Sequence, residues 1–255
     1  MDRGTYSAAS AGFMQLRKLD VINNNLANVN TAGFKRQRLV GRVQSFDDTL
    51  ARLVEAQDPY ARGDHERTPG VVHVKAVTDF SQGSIKPTGN NLDVALKSEN
   101  DFFVIGLEGG QKAYTRAGNF SLNEEGQIVT LDGFPVQGDG GVITANAPNI
   151  QISGGGSVKA NDEEVGRLQV VHFDDPSALQ RLGGCRFQLP AGFPPPTVVE
   201  NPQMETRALE MANVSVITSV IDLIGTTRGF EMYSKSAKSI DEMNQAAISR
   251  VGKGR

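Results

Sequence analysis

Residues able to do chemistry are scattered through this chain, and few are spaced to act together. The histidines His65, His73 and His172 fall in no HxxxH or HxH pattern, and a lone histidine on a β-type segment reads as a structural residue. Cys185 is the sole cysteine, which removes intramolecular disulfides and multi-thiolate zinc sites. Asp162, Glu163 and Glu164, and Asp174 with Asp175, set carboxylates side by side, but adjacent acids on loops are usually solvated and no matching base stands near. "SGGGSVK" at 153–159 has the glycines of a phosphate loop without GxGxxG or GxxxxGK[ST] spacing, so it reads as a turn. No GxSxG nucleophile motif occurs. The triplets "NFS" and "NVS" match the glycosylation pattern, which is short enough to occur by chance. The residues therefore predict no enzyme, no cofactor and no metal.

The densest polar motif is "NNNLANVNTAGFKR", residues 23–36. Asparagine is a poor interior helix residue because its amide competes for backbone groups, so the cluster marks either a ragged helix end or a place where amides are needed. Asn24 and Asn28 lie one helical turn apart, so both amides can satisfy groups left open where the helix stops. Gly33 can then take a positive φ that lets the chain leave, with Leu26 and Val29 on the packing side. A plain C-terminal cap and an interaction motif both remain open.

Three regions must position these residues. Tyr6, Ala9, Phe13, Leu16, Leu19, Leu26 and Val29 recur mostly at three- and four-residue steps, which predicts one amphipathic helix with one apolar stripe. From about Val71 to Glu200, short β-type runs such as "DFFVIGL", "QIVTL" and "RLQVVHF" alternate with "EGGQ", "NEEG", "GDGG", "SGGG" and "NDEE". That is hairpin chemistry, and it predicts a compact antiparallel domain, a sandwich or distorted barrel. "GFPPP" then reads as a stiff extended exit. From Glu205 to Val251 a long helix is expected, with Val214, Ile217, Val220, Ile221, Leu223 and Ile224 as its dense apolar face. A single helix cannot hide such a stripe. The expected fold is α+β: N- and C-terminal helices packed as a coiled-coil-like pair (1–40 and 205–255), an extended connecting segment (41–80) and a mostly antiparallel β domain (81–204).

Composition narrows the partners. The formal net charge is −3, with no Trp and 6% aromatics, so nothing favours nucleic acid. No apolar run approaches the length of a membrane span. Residues 1–40 carry an excess of four positive charges, readable as a solvated face or as a partner-facing one.

Long strings then become recognisable. "LDVINNNLANVNTAGFKR" resembles the N-terminal signature of the bacterial flagellar basal-body rod and hook protein family, N-N-L-A-N-x-x-T-x-G-F-K/R. "GSIKPTGNNLDVAL", "FFVI" and "YTRAGNFSLNEEGQIVTLDGFPVQGDGG" are similar to its central block. "LEMANVSVITSVIDLIGTTRGFEMYSKSAKSIDEM" is similar to its C-terminal pattern. The chain departs from the family pattern at "KSENDFF", where a glycine-rich approach is usual, at Ala212, where Ser is common, and at Cys185. The "MDRGTY" start and short middle domain look most like the proximal rod branch, with the distal rod branch close behind.

The resemblance implies a structural subunit that polymerises through its terminal helices, with itself and other axial proteins of the rod and hook, to join the motor to the distal rod and hook. It implies passage through the flagellar export apparatus without a cleaved signal peptide, residence in the basal body, no nucleic-acid partner and no membrane insertion. The assembly residues it implies are Asn24, Asn25, Leu26, Asn28, Thr31, Gly33, Phe34 and Lys35 from the first motif. From the last they are Leu209, Glu210, Asn213, Val214, Ile217, Ile221, Ile224, Arg228 and Glu231. A β-domain hydrolase and a soluble adaptor module are the other classes that the residues leave open.

Overall fold

The computed structural model describes residues 3–43, 72–145, 147, 149–161 and 163–252. Most of the expected connecting segment lies outside the described residues, as do His65 and the side chains of Tyr6, Ala9, His73 and Val251. The fold is α+β, with helices Arg3–Ala27 and Val216–Gly252 and mostly antiparallel strands. The chain divides into two units. One comprises Met1–Leu26, Gln37–Val77 and Val216–Arg255, and the other Ala27–Arg36 and Thr78–Ser215.

In the helical unit, the 37-residue C-terminal helix runs without proline and continues through Gly225 and Gly229. Its side chains of reduced exposure include Ser219, Leu223, Thr226, Phe230, Ala237, Ile240 and Asn244, recurring in steps of three, four or seven, and Gly229 is buried beside Phe230. On the N-terminal helix Gly12, Gln15, Leu19, Ile22 and Leu26 follow the same steps, with Ala11, Met14, Val21 and Asn25 shielded beside them. The Gln15 side-chain amide lies over Gly229, 3.3–3.7 Å from where a β-carbon would stand. The strands Gln37–Val43 and Val72–Thr78 pair in the same unit.

The expected helix from Glu205 is corrected at its start. Met204–Thr206 pairs antiparallel with Val94–Leu96, and Ala208–Glu210 with Ile85–Pro87, so helix begins only at Val216. These residues are drawn into strands because their backbone groups complete the β unit's edges. Val214 accordingly lies ahead of the helix, packed on Phe34, Cys185 and Ala212.

The β unit is organised on a six-stranded sheet in the order Gln180–Gly183, Arg186–Gln188, Lys112–Thr115, Asp101–Gly106, Val170–His172, Thr197–Val198. Its central strand "DFFVIG" is buried on both faces, because side chains alternate across a sheet. Phe103 and Ile105 join an aliphatic core with Val94, Leu96, Val158 and Leu168. Phe102 and Val104 join an aromatic core with Phe80, Tyr114, Phe173 and Phe187, where rings meet edge to face at 4.9–6.1 Å. The expected turns fall between strands: "EGGQ" carries Gly109 and Gly110 at φ of 79° and 76°, and "SGGG" joins Ile150–Ile152 to Ser157–Ala160.

Candidate assembly site

The sequence motifs meet inside the β unit. Gly33 sits at φ 67°, and a β-carbon there would collide with the backbone of Arg116 and Ala117. Only glycine permits both the left-handed turn and that approach. The Gly33 N–H donates to the Glu210 carbonyl at 2.7 Å, which places the next two residues in the core: Phe34 is 2% exposed and Lys35 1%.

Lys35 enters a buried charge cluster. Its Nζ lies 2.7 Å from Glu210 Oε1 and donates to the Ser81 carbonyl at 2.7 Å. Arg116 Nε and Nη2 reach Glu210 Oε2 at 2.8 and 2.7 Å. Arg116 Nη1 donates to the carbonyls of Ser98 and Asp101, and the Gly83 N–H donates to Glu210 Oε1 at 2.9 Å. Two cations and one carboxylate are thus buried together, and main-chain carbonyls accept from both cations as well. Burial depresses the Lys35 ammonium below its ordinary value, outweighing the opposing pull of the Glu210 charge and hydrogen bond.

Further contacts hold the segment on either side. Arg181 stacks over the Phe34 ring at 4.6 Å and donates to the Lys35 carbonyl. Asn213 accepts from the Arg36 N–H at 2.7 Å and donates to the carbonyls of Asp79 and Ser81 at 2.9 and 3.0 Å. Arg36 pairs with Asp79 at 2.7 Å. Burial raises the Asp79 carboxyl, but hydrogen bonds from Arg36 and Ser81 and the Arg36 charge outweigh it and hold the group below the usual carboxylate range. Cys185 is buried beside Phe34, its Sγ 3.4 Å from the Ala32 carbonyl. Desolvation pushes its thiol up to about 11, against the opposing Arg181 charge, so the reactive thiolate is scarce at neutral pH.

The asparagines divide their work. Asn25 brackets the exit from the helix: its amide donates to the Gln37 carbonyl and accepts from the Gln37 N–H, both at 2.8 Å. Asn28 accepts from the Thr31 hydroxyl at 3.3 Å and, through its carbonyl, from the Thr31 N–H.

The structure therefore brings Gly33, Phe34, Lys35, Glu210 and Asn213 together in the β unit, and Leu209 lies half-buried beside Glu210. In the helical unit Asn24 is exposed and Leu26 half-buried. Ile217, Ile221, Ile224, Arg228 and Glu231 face outward on the C-terminal helix. Arg116, Arg181 and Asp79 were not singled out from the sequence. The one signal for Arg116 was a lone cation, "YTR", directly after a run that the sheet buries.

Three family models match: "Flagella basal body rod protein" at residues 6–35, "Flagellar hook protein FlgE/F/G D1 domain" at 98–160, and "Flagellar basal body rod FlgEFG protein C-terminal" at 205–250. The chain is 34% identical to the flagellar basal-body rod protein FlgG of Caulobacter vibrioides, over 94% of this chain and 96% of the relative. It is 30% identical to FlgF of the same organism over 99% of both, and 30% identical to FlgG of Bacillus subtilis over 97% and 98%. Each matched segment supplies one charge of the buried cluster, Lys35, Arg116 and Glu210 in turn, and the chain belongs to the flagellar basal-body rod protein family, whose members are structural subunits of the flagellar rod.

Proposed function

We propose that this chain polymerises through its terminal helices, with itself and with other axial proteins of the rod and hook, as a subunit of the proximal rod. The observation that carries this reading is the outward apolar face of the C-terminal helix: Ile217 is 75% exposed, Ile221 64% and Ile224 49%. Phe13 of the N-terminal helix is 66% exposed. Apolar surface of this kind marks an interaction site, and a rotation with a rise turns such a head-to-tail contact into a tube.

The terminal helices themselves pair in coiled-coil fashion. The heptad recurrence of shielded positions on both helices supports this, as does the Gln15 amide over Gly229. The inner layer of the assembly is then built from the terminal helices, Arg3–Ala27 and Val216–Gly252, where the sequence reading gave 1–40 and 205–255. The flagellar export apparatus is the remaining partner, and a chain whose single thiol is buried has no internal disulfide to undo in passage. The role is mechanical: interlocked side chains transmit torque, and no catalytic step is assigned.

The end-to-end match to the FlgF relative supports the proximal position. The higher identity to a FlgG relative favours the distal rod as the second reading. Purified basal bodies labelled on this chain decide between them by the axial position of the label. Cells whose only copy carries Ile217→Asp and Ile221→Asp are expected to lack rods and motility, although the soluble variant melts like the parent. Normal rods from that variant would overturn assembly through this face.

A further inference from the structure

We infer that residues 27–36 are a preformed loop seated as a ligand in a groove of the β domain, and that the same groove accepts this loop from a second copy of the chain. Apart from residues 27–36, the β unit is one continuous stretch, Thr78–Ser215, and the residues flanking the loop on both sides belong to the other unit. The loop thus enters the β unit as a separate peptide would.

Its shape is set largely by its own chain. The paired hydrogen bonds between Asn25 and Gln37 close the neck. Within the loop, Thr31 N–H donates to the Asn28 carbonyl at 3.1 Å and Phe34 N–H to the Thr31 carbonyl at 3.3 Å. A loop shaped before docking loses less conformational freedom when it binds.

The groove is built for this sequence. Phe34 is an aromatic anchor under the Arg181 guanidinium. Lys35 is a charged anchor for Glu210. Gly33 passes where the Ala117 backbone leaves no room for a side chain. The Ala32 carbonyl accepts from Cys185, and the Arg36 N–H meets Asn213. Every one of these contacts is noncovalent and joins the loop to sequence at least 40 residues away.

A loop from a neighbouring copy would make the identical contacts, which is the condition for low-cost exchange of an element between protomers. In an isolated chain the tethered loop wins, because its effective concentration is on the order of millimolar. Exchange is favoured where the chain's own loop is spoiled or neighbours are held close.

Complementation between two full-length chains tests this. Both carry Ile217→Asp, which disables the helix face invoked above. One carries Gly33→Val, which spoils its loop and keeps its groove. The other carries Glu210→Ala, Cys185→Ala and Ala32→Cys, which spoils its groove and keeps its loop. The expected result on co-refolding is a two-chain species in size-exclusion chromatography that neither chain forms alone. Mild oxidation should then give an interchain disulfide between residue 32 of one chain and Cys185 of the other. Ala32→Cys in the otherwise unaltered chain is the control, and should close that disulfide internally. If the Gly33→Val chain is unfolded alone, recovery of its β-sheet signal on mixing reads the same event. A mixture that stays as two separate chains, with no interchain disulfide and no recovery, overturns the inference.

Discussion

Replacing Glu210 by alanine tests the buried cluster most directly. The carboxylate receives Lys35 Nζ, two nitrogens of Arg116 and the Gly83 N–H, all within 2.9 Å. Its removal leaves two buried cations without a counter-ion, and breaking a buried pair in this way costs about 3–5 kcal/mol. The stranded Gly83 N–H adds about 1 kcal/mol. Against a total stability of about 5–15 kcal/mol for a natural domain, this is a large fraction.

Lys35→Met should behave differently. Burial already opposes the ammonium charge more than Glu210 supports it, and Arg116 still holds the carboxylate through two nitrogens. Methionine matches the apolar stem and Asn213 still donates to the Ser81 carbonyl, so the expected cost is only about 1–2 kcal/mol, from the lost hydrogen bonds to Glu210 and Ser81. Combining Lys35→Met with Glu210→Ala should recover part of the Glu210 loss, because one of the two stranded cations is gone. The assay is urea unfolding of the purified chain followed by near-UV circular dichroism, since there is no Trp and Tyr114 sits in the aromatic core. Equal costs for the two single variants, or additive losses in the double variant, would refute the account of the cluster.

Gly33→Ala is expected to cost more than about 2 kcal/mol, since a left-handed φ and a backbone collision add, and urea titration measures it. Cys185→Ala should change the pH dependence of stability. The folded thiol stays protonated up to about 11 while the unfolded thiol ionises near its ordinary 9, so the native state holds the extra proton between them. The parent should therefore lose up to about 3 kcal/mol more than the variant as pH rises through that window, and a parallel pair of profiles would contradict it. Asp79 acts at the other end of the scale: its folded carboxyl is depressed, so its contribution is complete above 3.8 and disappears as pH falls through the folded value. Asp79→Asn should flatten that part of the acid profile by less than about 1 kcal/mol, because Arg36 is 38% exposed. Ile217→Asp with Ile221→Asp should move monomer stability by no more than about 0.5 kcal/mol per site, measured by the same titration, while pelleting assays show assembly lost.

The amino-acid order by itself determined the features that neighbours along the chain control. Three- and four-residue spacing made both terminal helices legible, and Gly, Asn and Asp clusters placed the hairpins, because backbone sterics and turn hydrogen bonds act over a few residues. Resemblance in three long strings was enough to identify the family. What only the tertiary structure decided is where the motif residues are spent. Lys35 and Glu210 are 175 positions apart, and no local rule says that two such charges will be buried against each other rather than solvated. The start of the last helix escapes local rules for the same reason: residues 204–210 take strand because distant edges at 85–87 and 94–96 need partners. The isoleucines at 217, 221 and 224 read from spacing as an apolar face in need of a partner, and within the chain they stay in solvent. Periodicity reports that a face is apolar, while burial depends on which surfaces long-range folding brings together.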